Sequence, residues 1–213
     1  MLYIPSMSIQ GSSRPRASAQ RLEADLRVLT EDIGVRLAGS QGEEAAARYL
    51  LGQLGQTGAR VHAESFPMRE RHVESEELEI RLGGSWQPFP GSLFSNTPGT
   101  GGQWRQAPLV FFEAPAEYHR PDLSYLKDKA VVHLGCHIES REHYRRLMDA
   151  GPAFLLFVDI RYPGTVPLAD GMFPAYTDAL GAVPTVNVAY MDAWRWKKEG
   201  AAAARLRVRG GMR

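Results

Sequence analysis

Apolar residues change their spacing along this chain, and each change marks an element. Leu22, Leu26 and Leu29 recur at helical spacing behind Ser18, whose hydroxyl can cap free N–H groups, and Ile33-Gly34 ends that run. Residues 35–40 read as a loop. Residues 42–56 place Ala46, Tyr49, Leu50 and Leu54 on one side of a second helix. Glu43 and Glu44 stand in its first turn, where the helix dipole favours carboxylates, and Gly58 closes it. Residues 60–66 then alternate Val61, Ala63 and Ser65 against His62, Glu64 and Phe66, a period of two that predicts a strand.

The next stretch keeps that period. Leu78, Ile80 and Leu82 alternate with Glu77, Glu79 and Arg81 before the turn Gly83-Gly84, so residues 73–82 form a half-exposed strand. Residues 86–106 are rich in Pro, Gly, Ser and Thr and read as loop and edge structure, with a further strand over 109–112. Residues 126–160 then carry the chain's most ordered pattern. Ala130–Leu134 is a short β-branched run. Ser140 caps a helix with Tyr144, Leu147 and Met148 on one stripe, Gly151-Pro152 stops it, and residues 153–158 are apolar on both sides. Strand, short helix and strand in that order imply a parallel pair. Residues 162–180 read as a long loop, 183–188 as a strand, 193–199 as a short helix and 203–208 as a closing strand. Tyr190, Met191, Trp194 and Trp196 near that helix are assigned to the core.

Composition narrows the classes. The 213 residues suffice for one large domain or two small ones. Lys and Arg number 25 against 24 Asp and Glu, so no global field draws the chain to nucleic acid or anionic lipid. Cys136 is the single cysteine, which excludes an internal disulfide. Neither a signal-peptide core nor a membrane-spanning run occurs, and the expectation is a cytoplasmic protein with no membrane or nucleic-acid partner. Residues 1–17 read as a flexible arm.

Two motifs carry a resemblance. Residues 36–50, R-L-A-G-S-Q-G-E-E-A-A-A-R-Y-L, are similar to a loop and helix near the start of zinc-dependent aminopeptidases, a superfamily that includes the glutamate carboxypeptidases and the transferrin-receptor ectodomain. Residues 127–132, the segment 146–158 with Leu147, Ala150, Gly151 and Ala153, and Val183-Pro184-Thr185-Val186-Asn187-Val188 resemble successive segments of protease-associated domains. In many aminopeptidases such a domain is inserted soon after the first motif, and this chain has the same order. The resemblance therefore implies a mixed α/β fold. A helix-loop-helix-strand segment of the peptidase domain would occupy 18–70, and a β-rich protease-associated-like domain with short helices would occupy 71–213.

The candidate chemistry lies at Gly135-Cys136-His137-Ile138-Glu139-Ser140. The aminopeptidases carry G-A-H-x-D-S at a strand end, so the resemblance would make His137 a metal ligand and Glu139 the bridge. Glu reaches one methylene further than Asp, a serious change between two ions held about 3.5–4 Å apart. Nothing after His143 supplies another His or a Glu-Glu pair, and the residues after Ser140 follow the protease-associated pattern. A mononuclear set of His133, Cys136, His137 and His143 has suitable side chains, yet partly exposed histidines and a buried small Cys136 are the favoured reading. Glu43-Glu44 and Glu76-Glu77 imitate a catalytic pair but fall at a helix start and an exposed strand. No phosphate loop occurs, since Gly99-Thr100-Gly101-Gly102 lacks the lysine.

The sequence thus assigns this chain no catalytic, metal or cofactor-binding residue. Zinc is expected only in a complete family member. The reading is the N-terminal and protease-associated portion of a zinc aminopeptidase-like metallopeptidase, with the catalytic metal-binding half absent, so the chain alone is expected to be inactive. A complete member would act on a peptide. The alternative is a stand-alone, non-catalytic interaction module. In either case Leu22, Leu26, Leu29, Tyr49, Leu50 and Leu54 need a surface to cover them, and the missing half or a second copy of the chain is the expected partner.

Overall fold

In the computed structural model the described residues are 17–36, 38–67, 69, 71–138 and 140–212. The expected arm falls almost wholly outside them, as do Leu37 of the first motif and Glu139 of the candidate segment 135–140. The chain divides into two compact units, residues 1–68 and 69–213.

The first unit is helical. α1 (Ala19–Arg27) is capped by Ser18, whose Oγ accepts from the Arg21 N–H, and it runs on into a widened turn at Val28–Asp32. α2 (Gln41–Gly55) is capped in the same way by Ser40. Tyr49 on α2 donates its hydroxyl to Asp25 on α1 at 2.6 Å. Packing here is thin: α1 buries no residue and α2 buries only Ala46. The strand expected over 60–66 does not form. Its alternation is real, but a strand exists only when a neighbour completes its hydrogen bonds, and no described residue pairs with this one.

The second unit is built on an eight-stranded mixed sheet: β1 (Arg71–Leu82), β2 (Ser85–Phe89), β3 (Ser92–Leu93), β4 (Arg105–Glu113), β5 (Ala130–Gly135), β6 (Phe154–Asp159), β7 (Thr185–Asn187) and β8 (Ala203–Met212). The spatial order is β2-β1-β8-β4-β5-β6-β7-β3. β4, β5, β6 and β7 are mutually parallel, and the remaining pairs are antiparallel. α3 (Arg141–Asp149) connects β5 to β6, α4 (Pro174–Leu180) connects β6 to β7, and α5 (Tyr190–Glu199) precedes β8. The structure therefore has the mixed α/β class that the sequence implies.

Period-two alternation sorts the central strands into two cores. Ala130 and Val132 of β5, with Phe154, Leu156 and Val158 of β6, meet Leu78 and Ile80 of β1 and Leu206 and Val208 of β8 in one cluster. Since β1 and β8 are not neighbours of β6, the sheet must fold over itself at β4 to bring them together. Trp196 of α5 enters this cluster fully buried, edge-on to Phe89 at 5.1 Å. Val131 of β5 and Leu155 and Phe157 of β6 face the other way, onto Tyr144 and Leu147 of α3. β6 is consequently buried at all six positions, which is why its sequence shows no alternation.

Two details depart from the sequence expectation. The loop expected over 162–180 contains α4, with Pro174 in its first turn and Gly181 ending it at φ 75°. A helix of seven residues presents too few turns for periodicity to stand out among the surrounding Pro and Gly. The aromatic group around α5 also splits. Trp196 is buried and Tyr190 packs on the core, whereas Trp194 is 54% and Met191 48% exposed.

Candidate functional site

Parallel strands bring their C-terminal ends to one edge of a sheet, and in open α/β sheets ligands bind at that edge. Here the edge carries Ala114 and Pro115 after β4, Cys136 and His137 after β5, and Ile160 after β6. Together with Tyr118 and His143 they border a cleft of about 430 Å³.

His133 forms part of its floor. The imidazole is 1% exposed and lies between Phe157, at 4.8 Å and 10° from parallel, and Phe112, at 5.5 Å and 24°. Nε2 is 3.0 Å from the Tyr118 hydroxyl, while Nδ1 is buried without a partner among the described residues. The hydroxyl has no other acceptor among those residues, so we assign Tyr118 as the donor and place the imidazole proton on Nδ1. An unmet buried donor of that kind costs about 1–3 kcal/mol. Burial pushes the His133 pKa down to about 4 and raises that of Tyr118, so both groups are neutral near pH 7. His143, in the first turn of α3, stacks on Tyr118 at 4.2 Å and 5°.

Beside the cleft stands a second group of titratable side chains. His137 Nδ1 lies 3.4 Å from Asp170 Oδ2. One ligand atom from each of His137, Asp159 and Asp170 lies within 4.8 Å of the other two. Asp159 closes β6 with its side chain 2% exposed. Its carboxylate accepts from the backbone N–H of Arg161 at 3.0 Å and from the guanidinium, with Nη2 on Oδ2 at 2.6 Å. The Arg161 hydrogen bonds hold the Asp159 carboxyl below its ordinary range. Asp170 is placed by the loop: its backbone carbonyl accepts from the Ser95 N–H at 2.9 Å, and its Oδ1 accepts from the Gly171 N–H at 2.7 Å.

The sequence-derived candidates are thus redistributed. His133, Cys136, His137 and His143 all border the cleft, but they do not converge as ligands; among the described residues His137 groups with Asp159 and Asp170 instead. His133 is fully buried, contrary to the partly exposed histidines expected, and Cys136 is half-buried. Glu139 lies outside the described residues. Glu43 accepts from the Gly39 N–H just ahead of α2, and Glu44 pairs with Arg48 at 2.7 Å. Glu76 takes the Leu93 N–H at 2.7 Å and the Arg71 guanidinium at 3.2 Å, while Glu77 pairs with Arg207 at 2.6 Å. Asp159 and Asp170 were missed. A signal did exist for Asp159, since a lone carboxylate directly ends an unbroken apolar strand.

No family model and no curated protein matches the sequence. Solved structures do match. A peptidase precursor from Shewanella amazonensis superposes with a TM-score of 0.70 at 19% identity, over 89% of this chain and 47% of that one. A zinc aminopeptidase from Bacillus subtilis gives 0.61 at 16%, over 91% and 44%. The fold is shared. An aminopeptidase from Aneurinibacillus sp. gives 0.54 at 19%, over 92% and 45%. The chain therefore spans a little under half the length of each of these proteins.

Proposed function

We propose that this chain is the helical segment and protease-associated-like portion of an aminopeptidase-like metallopeptidase. In this reading the second unit shapes the approach of a peptide substrate, and the hydrolytic metal pair belongs to residues other than those of this chain. The observation that carries it is the shared fold, which runs through both units over about nine-tenths of the chain. The apolar stripe of the first unit supports it. Leu22, Leu26, Leu50 and Leu54 are each 46–60% exposed, on helices that bury almost nothing themselves. Full burial of a side chain of this size yields about 1.5–3 kcal/mol, and at this exposure about half of that remains for each, a driving force for docking onto a further sheet.

The test is the size of the native polypeptide in its own cells. This chain weighs 23.6 kDa, and its structural neighbours are about twice as long. Immunodetection should find a product about twice as heavy that releases amino acids from aminoacyl anilides, while the 213-residue chain releases none. A native product of 23.6 kDa would instead support the non-catalytic interaction module.

A further inference from the structure

We infer that His137, Asp159 and Asp170 form a mononuclear site for a divalent transition ion, zinc by preference, beside the cleft that His137 also borders. The inference rests on these three side chains and stands whether or not the peptidase reading holds.

Distance separates an ion site from a plain ion pair. A charge-assisted N–H···O bond closes to about 2.7–2.9 Å, and the Asp159–Arg161 pair does so at 2.6 Å. His137 Nδ1 and Asp170 Oδ2 stop at 3.4 Å. That gap is loose for a direct bond. It matches two ligand atoms on a tetrahedral ion, which stand about 3.4 Å apart when each bond is about 2.1 Å. Imidazole nitrogen and carboxylate oxygen are both zinc ligands, the imidazole favours a transition ion over magnesium or calcium, and three protein ligands leave a fourth position open.

The surroundings hold the carboxylates ready. Arg161 grips Asp159 through its backbone N–H, Nε and Nη2 and so fixes the orientation of the carboxylate, as a charged outer partner does when it orients a ligand. The Gly171 N–H fixes Asp170 Oδ1 and leaves Oδ2 toward His137. The cleft of about 430 Å³ gives an exogenous ligand room to reach the open position. His137 stands 22 and 33 positions before its partners, and the ends of β5 and β6 together with the loop pinned at Ser95 bring the three into one group.

The experiment is calorimetric titration of zinc chloride into the chelator-treated full chain, with magnesium and calcium chloride as controls. We expect one zinc per chain and no saturable heat from magnesium or calcium. His137→Ala and Asp170→Asn should each weaken zinc more than about 100-fold, beyond the loss seen for outer partners. Cys136→Ser and His143→Ala should leave it within about threefold, a shift under about 0.7 kcal/mol. Absence of zinc binding at about 100 µM would overturn the inference. So would zinc that survives His137→Ala and Asp170→Asn, or zinc lost equally in Cys136→Ser. Should a variant unfold, cobalt added to the unaltered chain decides. An oxygen–nitrogen set gives visible bands without thiolate charge transfer, and appearance of that transfer would place the ion on Cys136 and sink the assignment.

Discussion

The Tyr118 hydroxyl meets His133 Nε2 at 3.0 Å in a fully buried position, and with Tyr118 assigned as the donor the neutral imidazole carries its proton on Nδ1. Proton linkage gives that relationship a pH signature. The His133 pKa is about 4 in the fold and about 6.5 when unfolded, so between those values the unfolded chain binds more protons and stability falls as pH falls. The contribution is intact above pH 6.5 and is lost as pH drops toward 4. Between pH 7.5 and 5.0 it amounts to about 2 kcal/mol. His133→Phe, which keeps the stack on Phe112 and Phe157, should reduce the pH dependence of the urea midpoint by that amount. Parallel curves for the two proteins would refute the assignment.

Trp194 and Trp196 are two positions apart on α5 and should respond very differently to truncation. Trp196 is fully buried against Phe89, so Trp196→Ala should cost about 3–5 kcal/mol in a denaturant titration. Trp194 is 54% exposed, and Trp194→Ala should stay within about 0.5 kcal/mol. Similar losses at the two sites would contradict this packing of α5.

Gly210 is a position where the backbone itself demands glycine. It sits at φ 139° beside the register shift between Val73 and Ser75, and a Cβ there would fall 2.2 Å from the His72 carbonyl oxygen. Gly210→Ala must push β1 and β8 apart and should cost about 2 kcal/mol or more. Gly101, at φ 66° with open space around it, provides the comparison; Gly101→Ala should cost only about 1–2 kcal/mol of backbone strain. Equal thermal shifts for the pair would show that the β1–β8 contact is looser than described.

Hydrogen exchange should separate the two units of this chain. Residues 19–55 bury almost no side chain, whereas β5 and β6 are buried nearly throughout. Amides of α1 and α2 should therefore exchange through local opening, orders of magnitude faster than those of 130–135 and 154–159. A partner that covers Leu22, Leu26, Leu50 and Leu54 should slow them selectively. Equally slow exchange in both regions, independent of protein concentration, would show that the helices are already covered in the monomer.

Local chemistry determines much of this chain. Ser18, Ser40 and Ser140 cap their helices because a hydroxyl beside free N–H groups acts within one turn, and the all-apolar run of β6 announced a strand covered on both faces. Pairing was a different matter. Residues 60–66 have the alternation of a strand but no hydrogen-bonding neighbour, and β1 and β8 run on to Arg71 and Met212 because each completes the other. The sites followed the same division. His137 stood out through its motif, but its nearness to Asp159 and Asp170 depends on parallel strands ending at one edge and on a loop pinned at Ser95. Spacing along a chain encodes what a residue can do with its neighbours within a few positions. Which distant groups it will face is decided by register and by the folding of the sheet over itself.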